Sequence, residues 1–141
     1  MQNLETVEMQ SNVFETIPAN IQWSPKISQI NLAGNRNLKV IEEHAFSSAL
    51  GLTQLILSGT SNLQVRSNGL HIKNGGAMLF MNDWWSTFDS NAFGNVDGGE
   101  LWGKLDITVG NNFPEDVFRL MLKTASDKQQ NGKYFTKKIE L

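Results

Sequence analysis

The chain has 141 residues, a formal net charge of −2 at pH 7 and no cysteine. A chain of this length can bury a core of its own, so we expect one domain over residues 1–141. Its 12 lysines and arginines are scattered, which argues against nucleic acid and anionic membrane surfaces as partners. It has no apolar run of about 18 residues to span a membrane, no secretory signal pattern in residues 1–10, and no thiolate for a disulfide or a metal site.

The first predicted elements form a sequence repeat. Residues 27–40 read ISQINLAGNRNLKV, and residues 52–65 read LTQLILSGTSNLQV, 25 positions later. Further copies of this frame start near residues 4, 75 and 98, so five frames follow one another at steps of 23 to 25 residues. A fixed period of this size is typical of a chain that stacks one structural unit on the next.

The repeated frame resembles that of the leucine-rich repeat family, whose unit is built on LxxLxLxxN. Its second half reads IEEHAF at 41–46, FDSNAF at 88–93 and FPEDVF at 113–118, and is similar to the extracellular branch of that family. The phrases NAFGN and FPEDVFR further resemble the leucine-rich, non-catalytic subunit of crustacean luciferin monooxygenases. The resemblance implies a secreted or extracellular protein that supports another chain.

We therefore expect an α/β fold, a right-handed leucine-rich repeat solenoid of five to six repeats with a parallel concave sheet. In each LxL, two apolar side chains enter the core and the residue between them faces out, because side chains alternate along a strand. Ile139 and Leu141 are candidates for a sixth strand. On the convex side, residues 90–92 and 114–116 favour short helical or 3₁₀ turns.

An asparagine after each strand should hydrogen-bond the backbone where the chain turns inside the molecule. The successive frames place there Asn12, Asn35, Thr60, Asp83 and Asp106. Only the first two have both a donor and an acceptor of the amide type, so the later turns should be less regular.

The outward strand positions predict the binding surface. Its apolar centre and charged rim consist of Ile56, Leu79, Met81, Trp102, Glu100 and Lys104. A more polar margin consists of Glu8, Gln29, Asn31 and Gln54. Because a contiguous exposed apolar patch usually marks an interface, we expect the partner to be another protein chain.

The register of the fourth and fifth frames stays open. In the favoured register, the inner row is Met9, Leu32, Leu57 and Phe80. Glycines at 75, 98 and 103 occupy positions that normally hold leucine, so the frame is weaker there. A shift by one residue would turn Leu79 and Trp102 into the core.

Little in the sequence indicates an enzyme, a metal or another cofactor. His44 and His71 are the two histidines, neither has a second ligand at a metal-binding spacing, and His44 is expected on a surface turn. The alternative function is a small-molecule or metal-dependent site in the loops 66–76 and 97–100, with His71, Asp97 and Glu100. A further alternative is a structural subunit, or a piece of a longer array, that stacks into oligomers through open repeat edges.

Overall fold

A computed structural model describes residues 5–9, 14–59, 62–73, 76–82, 86–94, 102, 104–109, 115–116 and 135–139, with the backbone alone at 82, 104–109 and 135–139. Within these ranges the chain consists of strands and turns, and helical backbone occurs at 115–116 alone, inside one of the predicted helical turns. None of the described segments forms a helix with the length and apolar character to cross a bilayer.

The strands form two parallel sheets. The large sheet has the order β1 (Thr6–Glu8), β3 (Gln29–Asn31), β5 (Gln54–Ile56), β7 (Met78–Asn82), β9 (Lys104–Val109) and β10 (Phe135–Ile139). The small sheet has the order β2 (Thr16–Ile17), β4 (Val40–Ile41), β6 (Gln64–Val65) and β8 (Thr87–Phe88). The predicted parallel sheet is confirmed, and its sixth strand ends at the predicted Ile139.

From β1 to β9 the chain alternates between the two sheets, and β10 then pairs beside β9 in the large sheet. This explains the repeat, because Ile30 pairs with Leu55 in the large sheet and Ile41 pairs with Val65 in the small one. A short helical or 3₁₀ turn was expected at residues 90–92, and the structure has a turn there in place of a helix, with Ala92 N donating to the Asp89 carbonyl at 3.0 Å. The preceding pair, Thr87–Phe88, is of the β-branched and aromatic kind that favours extended backbone.

The register of the large sheet follows the sequence repeat through β5 and then departs from it. Val7, Ile30 and Leu55 are neighbours in one buried row. In β7, Leu79 pairs with Leu55 and Phe80 pairs with Ile56. The strand therefore lies one residue away from the favoured register.

Both sheets bury their apolar side chains in one core. The large sheet and the residues that follow its strands contribute two rows, Val7, Ile30, Leu55, Leu79 and Met9, Leu32, Leu57, Met81, of which Met9 is partly buried. The small sheet contributes Ile17, Ile41, Val65 and Phe88. The predicted position of Phe80 in the inner row is wrong, because Met81 takes that place and Phe80 is half-buried on the other side of the strand.

Asn35 performs the role that the repeat predicts. Its side chain is fully buried, and its Nδ2 donates to the carbonyl oxygens of Met9 at 2.9 Å and Leu32 at 2.6 Å. The amide thus joins two successive repeats. Asp106 lies within β9, in register with Phe80, so its assignment to a turn is wrong. The other predicted positions of this set, Asn12, Thr60 and Asp83, lie outside the described residues.

Glycines allow the turns after β3 and β5 to stack closely. Gly34 and Gly59 both have positive φ, at 73° and 83°. A Cβ on Gly59 would lie 3.0 Å from the backbone nitrogen of Gly34. The matching glycines of the sequence repeat therefore serve both a left-handed turn and a backbone contact between repeats.

Candidate recognition face of the large sheet

The large sheet has one face in the core and one face turned away from it, which we call the outer face. Its members in the first four strands alternate with the buried rows, and they are Thr6, Glu8, Gln29, Asn31, Gln54, Ile56, Met78 and Phe80. Thr6 and Glu8 are exposed, and the other six side chains are half-buried. The outer face therefore presents side chains to solvent on every one of these strands.

Strand register arranges the outer face as two columns. Gln29, Gln54 and Met78 form one column, and Asn31, Ile56 and Phe80 form the other. Parallel neighbours lie about 4.8 Å apart, so the side chains of each column touch or nearly touch. Along both columns the chemistry changes from amide to hydrocarbon.

Backbone hydrogen bonds hold the outer face in place. The carbonyl oxygen of Asn31 accepts from Met9 N at 2.9 Å, that of Ile56 accepts from Leu32 N at 2.9 Å, and that of Phe80 accepts from Leu57 N at 2.8 Å. These bonds connect the strand ends of successive repeats. The outer face is therefore built on paired backbone and does not depend on loops.

The predicted binding surface is partly reproduced and partly corrected. Ile56 lies on the outer face, as do Glu8, Gln29, Asn31 and Gln54, while their role in binding stays a prediction. The predicted exposure of three side chains is wrong, because they are 0%, 2% and 2% exposed: Leu79, Met81 and Trp102. These three residues therefore belong to the core and offer no contact surface.

The corrections have two physical causes. Leu79 and Met81 face inward because β7 is shifted by one residue, which exchanges the two faces of a strand. Trp102 precedes β9, which begins at Lys104, so it holds no outward strand position. Its indole Nε1 instead donates to the carbonyl oxygen of Leu70 at 2.9 Å, inside the molecule.

Sequence reasoning missed Met78 and Phe80 as members of the outer face. The segment 77–81 reads AMLFM, so both alternating sets of residues are apolar and either set is able to fill the core. Of the predicted charged rim, Lys104 pairs in register with Met78, and Glu100 lies outside the described residues.

The alternative site predicted around His71 is only partly described. Asp97 and Glu100 lie outside the described residues, and no group of three or more potential metal-binding side chains occurs in the part of the chain that the structure describes. His71 lies beside His44, with 5.9 Å between the ring centroids. His44 lies on a turn, as expected, and it is half-buried there.

No protein-family model matches the chain, and no curated protein or solved structure is significantly similar to it. Function is therefore inferred from the chain's own residues.

Proposed function

We infer that the chain is a leucine-rich repeat solenoid that recognises another protein, without catalysis, through the outer face of its large sheet. The solenoid is supported by the alternation of the chain between two parallel sheets and by the buried amide of Asn35, which bridges repeats. The observation that carries the function is the group of apolar side chains on the outer face of β5 and β7. Ile56, Met78 and Phe80 are only half-buried there, because the core lies on the opposite side of the sheet.

The chemistry of the outer face favours a protein over a small ligand. Protein interfaces combine an apolar centre with a polar margin, and the outer face has this composition over several strands. Ile56, Met78 and Phe80 would supply the desolvated centre, while the amides of Gln29 and Gln54 would hydrogen-bond the partner's backbone or polar side chains. A face that extends over several strands suits a broad contact better than the enclosure of a small molecule.

The acidic Glu8 is exposed on β1, at one end of the outer face, so it favours one orientation of the partner. Charges at the rim of an interface steer and orient the partner more than they strengthen the complex. We therefore propose a partner whose apolar side chains lie over β5 and β7 and whose hydrogen-bonding or basic groups lie over β1 and β3. The family resemblance supports a secreted supporting subunit as the setting for such a contact.

Site-specific photo-cross-linking tests this function. A benzophenone side chain in place of Phe80 should form one discrete adduct with a foreign protein in an extract or secretion of the source organism. The same group in place of Thr87, which is exposed in the small sheet, is the matched control and should form no such adduct. An excess of the unmodified protein should prevent formation of the adduct, because it binds the same site on the partner.

Three outcomes would contradict the proposal. Equal labelling from positions 80 and 87 would mean that contact is unspecific, and the absence of any adduct would mean that the outer face has no partner. An adduct between two copies of this chain would mean that the outer face mediates self-association and not the recognition of another protein.

A further inference from the structure

The two histidines of the chain meet around one serine. Ser47 Oγ lies 2.9 Å from His44 Nδ1 and 3.0 Å from His71 Nδ1, and it lies 3.3 Å from the carbonyl oxygen of His71. The two rings are nearly perpendicular, at 86°. All histidine in a chain of 141 residues is therefore concentrated at one place.

The hydrogen bonds of this cluster have one arrangement that satisfies every group. A hydroxyl has one proton to donate and two lone pairs to accept with. If Ser47 donates to the His71 carbonyl, its oxygen accepts from both imidazole Nδ1–H groups. This arrangement uses only Nδ1–H of each ring, so it is the same for a neutral and for a cationic imidazole.

A surface pocket of about 340 Å³ opens beside this cluster. Its other polar walls come from the neighbouring repeats, and they include Asn20, Gln22 and Lys73. No carboxylate occurs among the described residues that line it, although Glu43 directly precedes His44 in the chain. The described lining of the pocket therefore combines the Lys73 cation, two imidazoles and neutral hydrogen-bonding amides.

The backbone of His44 has the left-handed conformation that few residues other than glycine adopt. Its φ is 55°, and the turns of the flanking repeats place asparagines in the same conformation, Asn20 at 57° and Asn68 at 59°. His44 N donates to the Asn68 carbonyl at 3.1 Å, which aligns these turns. Asparagine and histidine are both enriched in this conformation, so the three turns share one backbone geometry, and His44 stands where the flanking repeats have asparagine.

A glycine makes room for the second ring. A Cβ on Gly94 would lie 2.6 Å from His71 Cδ2, so any side chain at this position would displace the imidazole. Gly94 has φ 76°, which independently favours glycine. Neighbouring repeats thus hold both histidines against the pocket.

We propose that this pocket binds a small molecule through a phosphate or carboxylate group. His44, His71 and Lys73 supply the positive charge, and Asn20 and Gln22 donate hydrogen bonds to the remaining oxygens. The volume is at the lower end of the range for small-molecule sites, which fits a ligand of metabolite size. An anion between the two rings, whose centroids lie 5.9 Å apart, would interact favourably with both whenever they carry positive charge.

Nuclear magnetic resonance of the imidazole carbon-bound protons tests this site directly, since only two histidines contribute signals. Titration at about pH 6, where imidazoles carry substantial charge, should shift both sets of signals saturably with inorganic pyrophosphate or with malonate. Pyrophosphate and malonate separate a phosphate from a carboxylate preference. Sodium chloride at equal ionic strength and glycerol should give no saturable shift.

Three variants distinguish a binding site from general electrostatics. His44→Asn should weaken binding about fivefold or more without lowering the melting temperature, because Asn20 and Asn68 hold the same turn in the flanking repeats. Lys73→Gln should weaken binding by a similar factor. Lys39→Gln removes an equal charge from an exposed residue that does not line the pocket, and should change affinity less than about twofold.

The proposal fails if neither anion gives a saturable shift, if glycerol binds as well, or if Lys39→Gln and Lys73→Gln weaken binding equally. It also fails if His44→Asn binds as tightly as the natural chain. Should His44→Asn lower the melting temperature sharply, the Lys73→Gln and Lys39→Gln pair still decides the question, because both lysine side chains are exposed.

Discussion

Strands β3 and β5 differ from β7 in how firmly their sequence determines which side chains are buried. The first two read Gln29–Ile30–Asn31 and Gln54–Leu55–Ile56, with a buried residue between two half-buried ones. In β3, polar neighbours leave only one possible inward residue. In β7 the sequence MLFMN is apolar in both phases, so the pattern predicts a strand without determining its register.

Because of this difference, the chemical character of the outer face and the identity of its residues are not equally predictable from the sequence. A slip of one residue exchanges the faces of a strand, so the predicted contact residues Leu79 and Met81 are buried while Met78 and Phe80 are not. The apolar character of the outer face nevertheless survives, because either phase of β7 presents hydrocarbon. The chemistry of a surface can therefore be predicted where its individual residues cannot.

The largest expected effect concerns Trp102, in the region where the sequence pattern is weak. Trp102→Ala should destabilise the chain by about 3–5 kcal/mol, because it leaves a cavity of indole size in the core. It also removes the bond to the Leu70 carbonyl, whose oxygen then lacks that donor. Urea denaturation measures the loss.

Leu50→Ala is the matched control, since Leu50 is 53% exposed. Removal of this side chain should cost less than about 1 kcal/mol. Equal stability of the two variants would mean that Trp102 is a surface residue, as the sequence repeat alone predicts.

A smaller effect is expected in the region where the pattern is strong. Asn35→Ala should cost about 2 kcal/mol, because the carbonyl oxygens of Met9 and Leu32 lose their shared donor in a buried position. The same denaturation measurement applies. Asn37→Ala, two residues away and exposed, should change stability by less than about 0.5 kcal/mol. If Asn35→Ala and Asn37→Ala lower the free energy of unfolding equally, the Asn35 amide does not join the repeats.

Sequence reasoning reached the period, the parallel large sheet, its sixth strand and the role of Asn35, because each depends on a residue type that recurs. It missed the small sheet, although Val40–Ile41 and Thr87–Phe88 are short pairs of the β-branched and aromatic kinds that favour strands. Such pairs are too short to stand out singly. They become strands only because stacking brings them side by side.

The histidine cluster was missed for a related reason. Ser47 and His71 are 24 residues apart, close to one repeat, so stacking places them together. A search for polar residues at the repeat period would have found this pair. Sequence reasoning examined metal-ligand spacings along the chain instead, and these do not detect neighbours in adjacent repeats.

The register of β7 is the claim on which the outer face and the core both depend, and single cysteines measure it directly. The chain has no cysteine, so Met78→Cys, Leu79→Cys, Phe80→Cys and Met81→Cys each introduce one unique thiol. Under native conditions, thiols at 78 and 80 should react with a soluble disulfide reagent about tenfold faster than those at 79 and 81, because buried thiols are inert. Faster reaction at 79 and 81 would contradict the structure of this strand and remove the outer face as described.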